Sequence, residues 1–218
     1  MIEVPVYNRQ GQQVETVSVD ETLFGSIVRR RLLKQAMVMY QANKRQGTMA
    51  TRSRAMVEGS TRKLFKQKHT GRARMGPLRT PIRRGGGMAF AKTPRDFSQD
   101  MPKKAKRMAR LSALLAKMLD QELLLIDGLQ ADQPKTKEAA ALLKALKIET
   151  SCLIGIEGYD KNVYLSVRNL PRVDVLPVGD FNAYDILSHR KVLITKAGFQ
   201  KLQDLASGKA VAAEQPAS

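Results

Sequence analysis

A chain of 218 residues, 43% of them hydrophobic, suits one domain with an elaboration, yet it carries a formal net charge of +18 and a pI near 10.3, so a polyanionic neighbour is expected. A single cysteine, Cys152, excludes an internal disulfide framework and a multi-cysteine zinc site, and points to a reducing, cytoplasmic setting. Apolar runs such as Leu123 to Ile126 fall far short of the roughly 20 residues that cross a bilayer, so no membrane partner is expected; Met1, Ile2 and Glu3 begin no charged-then-apolar export leader.

In chain order, residues 1 to 7 and 14 to 19 alternate apolar and polar types around the turn-forming Gly11 and predict a hairpin, with Pro5 favouring an edge strand. Phe24, Ile27, Val28, Leu32, Leu33, Ala36, Met37 and Tyr40 recur at helical spacing and predict one helix from Leu23 to about Gln41, with Arg29, Arg30 and Arg31 largely on its other side. From Asn43 to about Ser98 both periods vanish, and glycines and prolines recur from Gly47 to Pro94. That stretch predicts a loop far longer than the usual limit of about 15 residues, and loops of that length are usually functional or disordered. Folded back on itself at about 3.3 Å per extended residue, it reaches several tens of ångströms.

Pro102 suits a first helical turn, and Met108, Leu111, Leu115, Met118 and Leu119 predict a helix of about 18 residues after it. Short apolar runs then alternate with helical patterns. The runs are Leu123 to Ile126, Cys152 to Ile156, Val173 to Val178 and Val192 to Thr195; the helices lie near Lys135 to Leu146, Asn162 to Arg168, Asn182 to Leu187 and Ala197 to Leu205. Uninterrupted apolar runs between amphipathic helices predict an α/β layered domain, with a mainly parallel central sheet flanked by helices, plus a long basic extended loop. Residues 1–42 and 97–206 are assigned to the domain, 43–96 to the loop, and 207–218 to a disordered tail.

The charge is concentrated in that loop and just after it. Residues 43–110 hold 20 Lys and Arg against Glu58, Asp96 and Asp100, a net +17, while residues 1–42 carry +1 and residues 111–218 none. Elsewhere the usual site chemistry is missing. His69 and His189 stand apart and read as solvent or packing residues, with no metal-binding spacing. Gly85, Gly86 and Gly87 follow Arg84 rather than an apolar strand and lack the Gly-Lys-Ser/Thr ending of a phosphate loop. Asp120, Glu122 and Asp127 read as solvated surface, Cys152 as a buried small hydrophobe, and the Met-rich helix faces as core. No catalytic residue, metal or cofactor is therefore expected.

The loop's cations come singly and in pairs among Gly, Thr and Ser, a pattern suited to a nucleic-acid backbone. Guanidinium forks match phosphate and stack on bases, and glycines let the main chain come close. The expected contact residues are Lys44, Arg45, Arg52, Arg54, Arg62, Lys63, Lys66, Lys68, Arg72, Arg74, Arg79, Arg83, Arg84, Gly85, Gly86, Gly87, Lys92 and Arg95. An irregular basic loop fits folded RNA better than a regular DNA groove, and no DNA-binding motif is present. An RNA-modifying enzyme would need a glycine-rich cofactor fingerprint at a strand end, and a general compaction protein would spread its charge over the fold; neither pattern is found.

Gly71-Arg72-Ala73-Arg74-Met75-Gly76, Thr80-Pro81, Arg84-Gly85-Gly86-Gly87, Phe90, Pro94-Arg95-Asp96 and Pro102-Lys103-Lys104 resemble, in order and spacing, the loop signature of the bacterial large-subunit ribosomal protein L-four family. Arg45-Gln46-Gly47-Thr48 and Thr51-Arg52-Ser53-Arg54 look like the start of that loop, and Gly59-Ser60 with Lys66-Gln67-Lys68 like its apex. Pro134-Lys135-Thr136-Lys137 and Arg168-Asn169-Leu170 with Val173 and Val175 extend the likeness over nearly the whole chain. The resemblance implies a non-enzymatic protein that binds large-subunit rRNA early in assembly beside other large-subunit proteins. It implies a domain on the ribosome's surface and a loop running to the wall of the peptide exit tunnel, where Lys66, Gln67, Lys68, His69 and Thr70 would lie at the tip near the nascent polypeptide. Phe65 and Arg83 stand where that family commonly has tryptophan and His69 where it commonly has glycine, and the chain contains no tryptophan.

Overall fold

The computed structural model describes residues 1–129 and 133–207, and the chain divides into two units, Met1–Tyr40 with the chain from Asp100 onward, and Gln41–Gln99. The first unit is built from β1 (Ile2–Tyr7), β2 (Gln13–Val19), α1 (Arg30–Asn43, whose last residues belong to the second unit), α2 (Lys103–Leu119), β3 (Leu123–Ile126), α3 (Thr136–Ala145), β4 (Cys152–Ile156), α4 (Lys161–Val167), β5 (Val173–Pro177), α5 (Ala183–Ser188), β6 (Lys191–Thr195) and α6 (Lys196–Ser207). The sheet order is β2-β1-β3-β6-β4-β5, and only the β1–β2 pair is antiparallel.

The apolar runs form the sheet's interior because both their faces are covered. In β6, Val192 and Ile194 enter a core with α1, α2, α5 and α6, while Leu193 between them enters a second core with α3 and α4. Leu125 and Ile126 of β3 divide in the same way. Each such side chain, removed completely from water, contributes about 1.5–3 kcal/mol. The α/β architecture with a mainly parallel sheet is the one the alternation of runs and helices predicts.

Three expectations need correction. The helix predicted from Leu23 to Gln41 is broken: a short 3-10 turn spans Glu21–Phe24, Gly25 and Ser26 follow with φ of 101° and 54°, and α1 starts only at Arg30. Two consecutive left-handed residues stop a helix, so Phe24 is buried from the turn and Ile27 is left exposed. Pro5 does not mark an edge strand, because β2 is the edge and β1 lies inside it. The proline is tolerated because β1 pairs with β3 only at Val6 and Tyr7, leaving residue 5 unpaired on that side. Glu122, read as solvated surface, accepts a hydrogen bond from the buried Lys117 ammonium at 2.6 Å; that ammonium also donates to the Arg190 carbonyl at 2.9 Å. Residues 208–218, most of the expected tail, lie outside the described residues, and Ser207 ends α6.

Candidate nucleic-acid interface

Residues 41–99 carry 15 Lys and Arg against two acidic residues, Glu58 and Asp96, a net +13. Only Gly87 among them is buried, so this unit has no hydrophobic core. It is held by hydrogen bonds between two arms. The Asn43 carboxamide donates to the Gln99 carbonyl and accepts from the Gln99 N–H, at 3.2 and 2.7 Å. Further along, Arg95 N–H donates to the Gly47 carbonyl at 3.1 Å, and Thr51 N–H donates to the Lys92 carbonyl at 2.8 Å. The Thr51 hydroxyl oxygen accepts the Lys92 N–H in return, and Met88 N–H donates to the Arg52 carbonyl at 2.9 Å. An isolated antiparallel bridge joins Lys63 and Pro77, so residues 64–76 turn the chain around.

Lys66, Gln67, Lys68, His69 and Thr70 all fall in that closing segment. His69 has φ of 64°, a left-handed conformation that glycine adopts without cost.

The triplet Gly85-Gly86-Gly87 has an internal reason to be glycine. A Cβ on Gly87 would lie 2.2 Å from the Arg54 nitrogen, and one on Gly86 would lie 2.0 Å from the Thr80 carbonyl oxygen. The close approach here is of the loop to its own backbone; only Gly85 faces open space.

The expected contact cations divide by what they touch. Lys63 donates to Gln67 Oε1 and the Met75 carbonyl at 2.5 and 3.0 Å, and Arg79 donates to the Val57 and Ala55 carbonyls at 3.1 and 3.4 Å, so both tie parts of the loop together. Arg45 and Arg95 lie over the ring of Phe97. Arg52, Arg54, Arg62, Lys66, Lys68, Arg72, Arg74, Arg84 and Lys92 are exposed, Arg83 is half-buried, and none of these ten side chains is ion-paired among the described residues.

The two carboxylates do not relieve this charge. Asp96 accepts from the Ser98 hydroxyl and the Ser98 N–H, bonds that hold its carboxyl below the usual carboxylate range and keep it charged, while binding it to Ser98 rather than to a cation. Large apolar side chains are also left in water here, Ile82 at 91% and Phe90 at 96% exposure. A surface that combines unneutralised forks with naked apolar groups is suited to a partner offering both phosphates and base faces.

Elsewhere the residues weighed for chemistry are occupied structurally. His189 is buried, with Nε2 3.0 Å from Asp174 Oδ2 and Nδ1 2.8 Å from the Asp185 carbonyl, and it joins α5 to β5. Burial pushes the Cys152 thiol up to about 12, so it is no nucleophile. Among the described residues no group of His, Cys, Asp and Glu could hold a metal, and no helix is long and apolar enough to cross a membrane.

A family model described as the ribosomal protein L4/L1 family matches residues 17–205. The chain is similar to the large ribosomal subunit protein uL4 of Dehalococcoides mccartyi, 41% identical over 204 residues that cover 94% of this chain and 97% of the relative. It is similar to the uL4 protein of Moorella thermoacetica at 43% over 205 residues, and to that of Symbiobacterium thermophilum at 42% over 205 residues, in both cases over 94% of this chain and 99% of the relative.

Proposed function

The chain belongs to the ribosomal protein L4/L1 family, and from that premise we propose that it is a structural, non-enzymatic constituent of the large ribosomal subunit. It works in the cytoplasm, inside the ribosome. It binds large-subunit rRNA early in assembly and contacts neighbouring large-subunit proteins. Residues 1–42 and 97–206 act as the domain that seats the protein, and residues 43–96 as the RNA-binding loop. The turn containing Lys66, Gln67, Lys68, His69 and Thr70 lines the peptide exit tunnel and meets the nascent polypeptide.

The observation that carries this reading is a coreless hairpin of net +13 in which Arg52, Arg54, Arg62, Lys66, Lys68, Arg72, Arg74, Arg83, Arg84 and Lys92 have no ion pair among the described residues. Such a segment repels itself in water and is stabilised by a polyanion. RNA phosphates supply the countercharge, and the counterions they release make binding strongly salt-dependent. Neutralising even six phosphates gives a logarithmic salt slope of about −4 to −5. Arg52, Arg54, Arg62, Lys66, Lys68, Arg72, Arg74, Arg83, Arg84 and Lys92 make these contacts with Lys44, Arg45 and Arg95, while Lys63 and Arg79 also maintain the shape of the loop.

Quantitative mass spectrometry across a sucrose gradient of lysate, in low and high salt, tests the assignment. The expected result is stoichiometric presence in the large subunit after the high-salt wash. Presence only in light fractions would overturn it and revive an RNA-modifying enzyme.

A further inference from the structure

The two hydrogen-bonded rungs at the start of the loop, Asn43 with Gln99 and Gly47 with Arg95, set a register in which residue 45 stands opposite residue 97. Arg95 lies two residues before Phe97 on the same arm. Both arginines reach the one ring, with the guanidinium carbon of Arg45 4.0 Å and that of Arg95 4.3 Å from its centroid. Two cations drawn onto one side chain repel each other, and Asp96 does not neutralise them because Ser98 occupies it. The negative face of the aromatic ring offsets part of that repulsion. A guanidinium stacked on a ring spends its face and keeps its N–H donors at the edge, where they match phosphate oxygens. Beside the ring lies an open cavity of about 360 Å³, lined by Gly47, Lys92, Arg95 and Phe97 among others, which adds a third cation.

We propose that Phe97 is a positioning residue that holds Arg45 and Arg95 together as a two-pronged grip on two neighbouring phosphates of an RNA backbone, one for each guanidinium, with Lys92 beside it. The proposal rests on the reading of residues 43–96 as rRNA-binding and adds to them Phe97, an uncharged residue of the same Gln41–Gln99 unit. The ring acts through the arginines. It orders their planes before the ligand arrives, so that less side-chain freedom is lost on binding.

The test is binding of the full chain to an in vitro transcript of bacterial large-subunit rRNA, measured across a salt series. Phe97→Leu removes no charge, yet it is expected to make the logarithmic salt slope shallower by about 1.5, the value of two phosphate contacts at roughly 0.7–0.9 each. The Arg45→Gln, Arg95→Gln double variant is expected to lose the same amount, and adding Phe97→Leu to it is expected to change nothing more. Arg45→Gln alone lowers the slope by about 0.8, so the outcome does not depend on the loop tolerating leucine. Phe97→Trp preserves the wild-type slope, and because the chain has no other tryptophan its emission reports on that ring alone.

An unchanged slope for Phe97→Leu, with or without weaker binding, overturns the proposal; so does quenching of the indole emission of the Phe97→Trp variant by the transcript, which would mean that the ring itself stacks on a base. A wild-type slope near zero would refute the RNA-binding reading of the whole loop. That failure is distinct from a steep wild-type slope that Phe97→Leu leaves alone.

Discussion

Replacing Gly87 with alanine tests whether the loop's order is needed for binding. The added Cβ would stand 2.2 Å from the Arg54 nitrogen and 2.5 Å from both Arg54 Cα and the Ser53 carbonyl carbon, all of them backbone atoms. Ordinary contact starts at 3.4 Å, so one arm must move by 1.2 Å, the difference of the two distances. The rung from Met88 N–H to the Arg52 carbonyl, 2.9 Å long and one residue away, does not survive such a shift, and neither does the bond from Gly87 N–H to the Arg79 carbonyl at 3.1 Å. Two hydrogen bonds at a net 0.5–1.5 kcal/mol each give a loss of about 1–3 kcal/mol. No buried apolar cluster in residues 41–99 absorbs it. Because RNA must then re-order the arms, affinity for an rRNA transcript should fall roughly 5- to 150-fold. The melting temperature of the domain, followed by calorimetry, should stay where it was. Gly87→Ala binding within twofold of wild type would refute the reasoning, as would a loss in Gly85→Ala just as large, since a Cβ at Gly85 meets nothing within 4 Å.

Other perturbations have equally definite outcomes. Glu122→Ala leaves the Lys117 ammonium buried with only the Arg190 carbonyl; discounted for the carboxylate's partial exposure, this costs about 2–3 kcal/mol and lowers the melting temperature by roughly 5–10 °C, which a thermal scan would show. The raised thiol pKa of Cys152 means that the folded state holds its proton when the unfolded state has lost it. That contribution is intact below pH 9 and disappears towards about pH 12, at about 1.4 kcal/mol per pH unit. Denaturant titrations at about pH 8 and about pH 10.5 should therefore cost wild type about 2 kcal/mol more than Cys152→Ala. His69→Gly removes a left-handed penalty of about 1 kcal/mol, so RNA affinity should stay constant or rise up to about fivefold; a tenfold loss in the same binding assay would show that the imidazole makes a contact of its own.

Some of this molecule is legible in one dimension. The runs Leu123 to Ile126 and Cys152 to Ile156 mark β3 and β4 to the residue, because strands covered on both faces are apolar without a break. The interruption at Gly25 and Ser26 is not legible, since Phe24 and Val28 keep a helical spacing across a backbone that has stopped being helical. Pro5 misleads because an inner strand can still have one residue unpaired on one side. The charge of the loop is found by counting, but the division of labour among its cations is not. Lys63 and Arg79 are spelled like the cations around them, and only the folded hairpin shows them spent on carbonyls. Phe97 escapes for a related reason: its meaning depends on a register joining it to Arg45 across the full length of the loop.

The strand order has a consequence for synthesis. β6, at Lys191–Thr195, lies between β3 and β4 in the middle of the sheet, although it follows every other strand of the described residues in the chain. The sheet cannot close until Thr195 has emerged, and the earlier strands wait with one apolar edge unpaired. Residues 41–99 come out well before that. At 5–20 residues per second the interval between the end of the hairpin and β6 is roughly 5–20 seconds. During it the basic arms are accessible to nucleic acid while the domain is still incomplete, so a polyanion met in that window encounters the loop first and the folded domain afterwards.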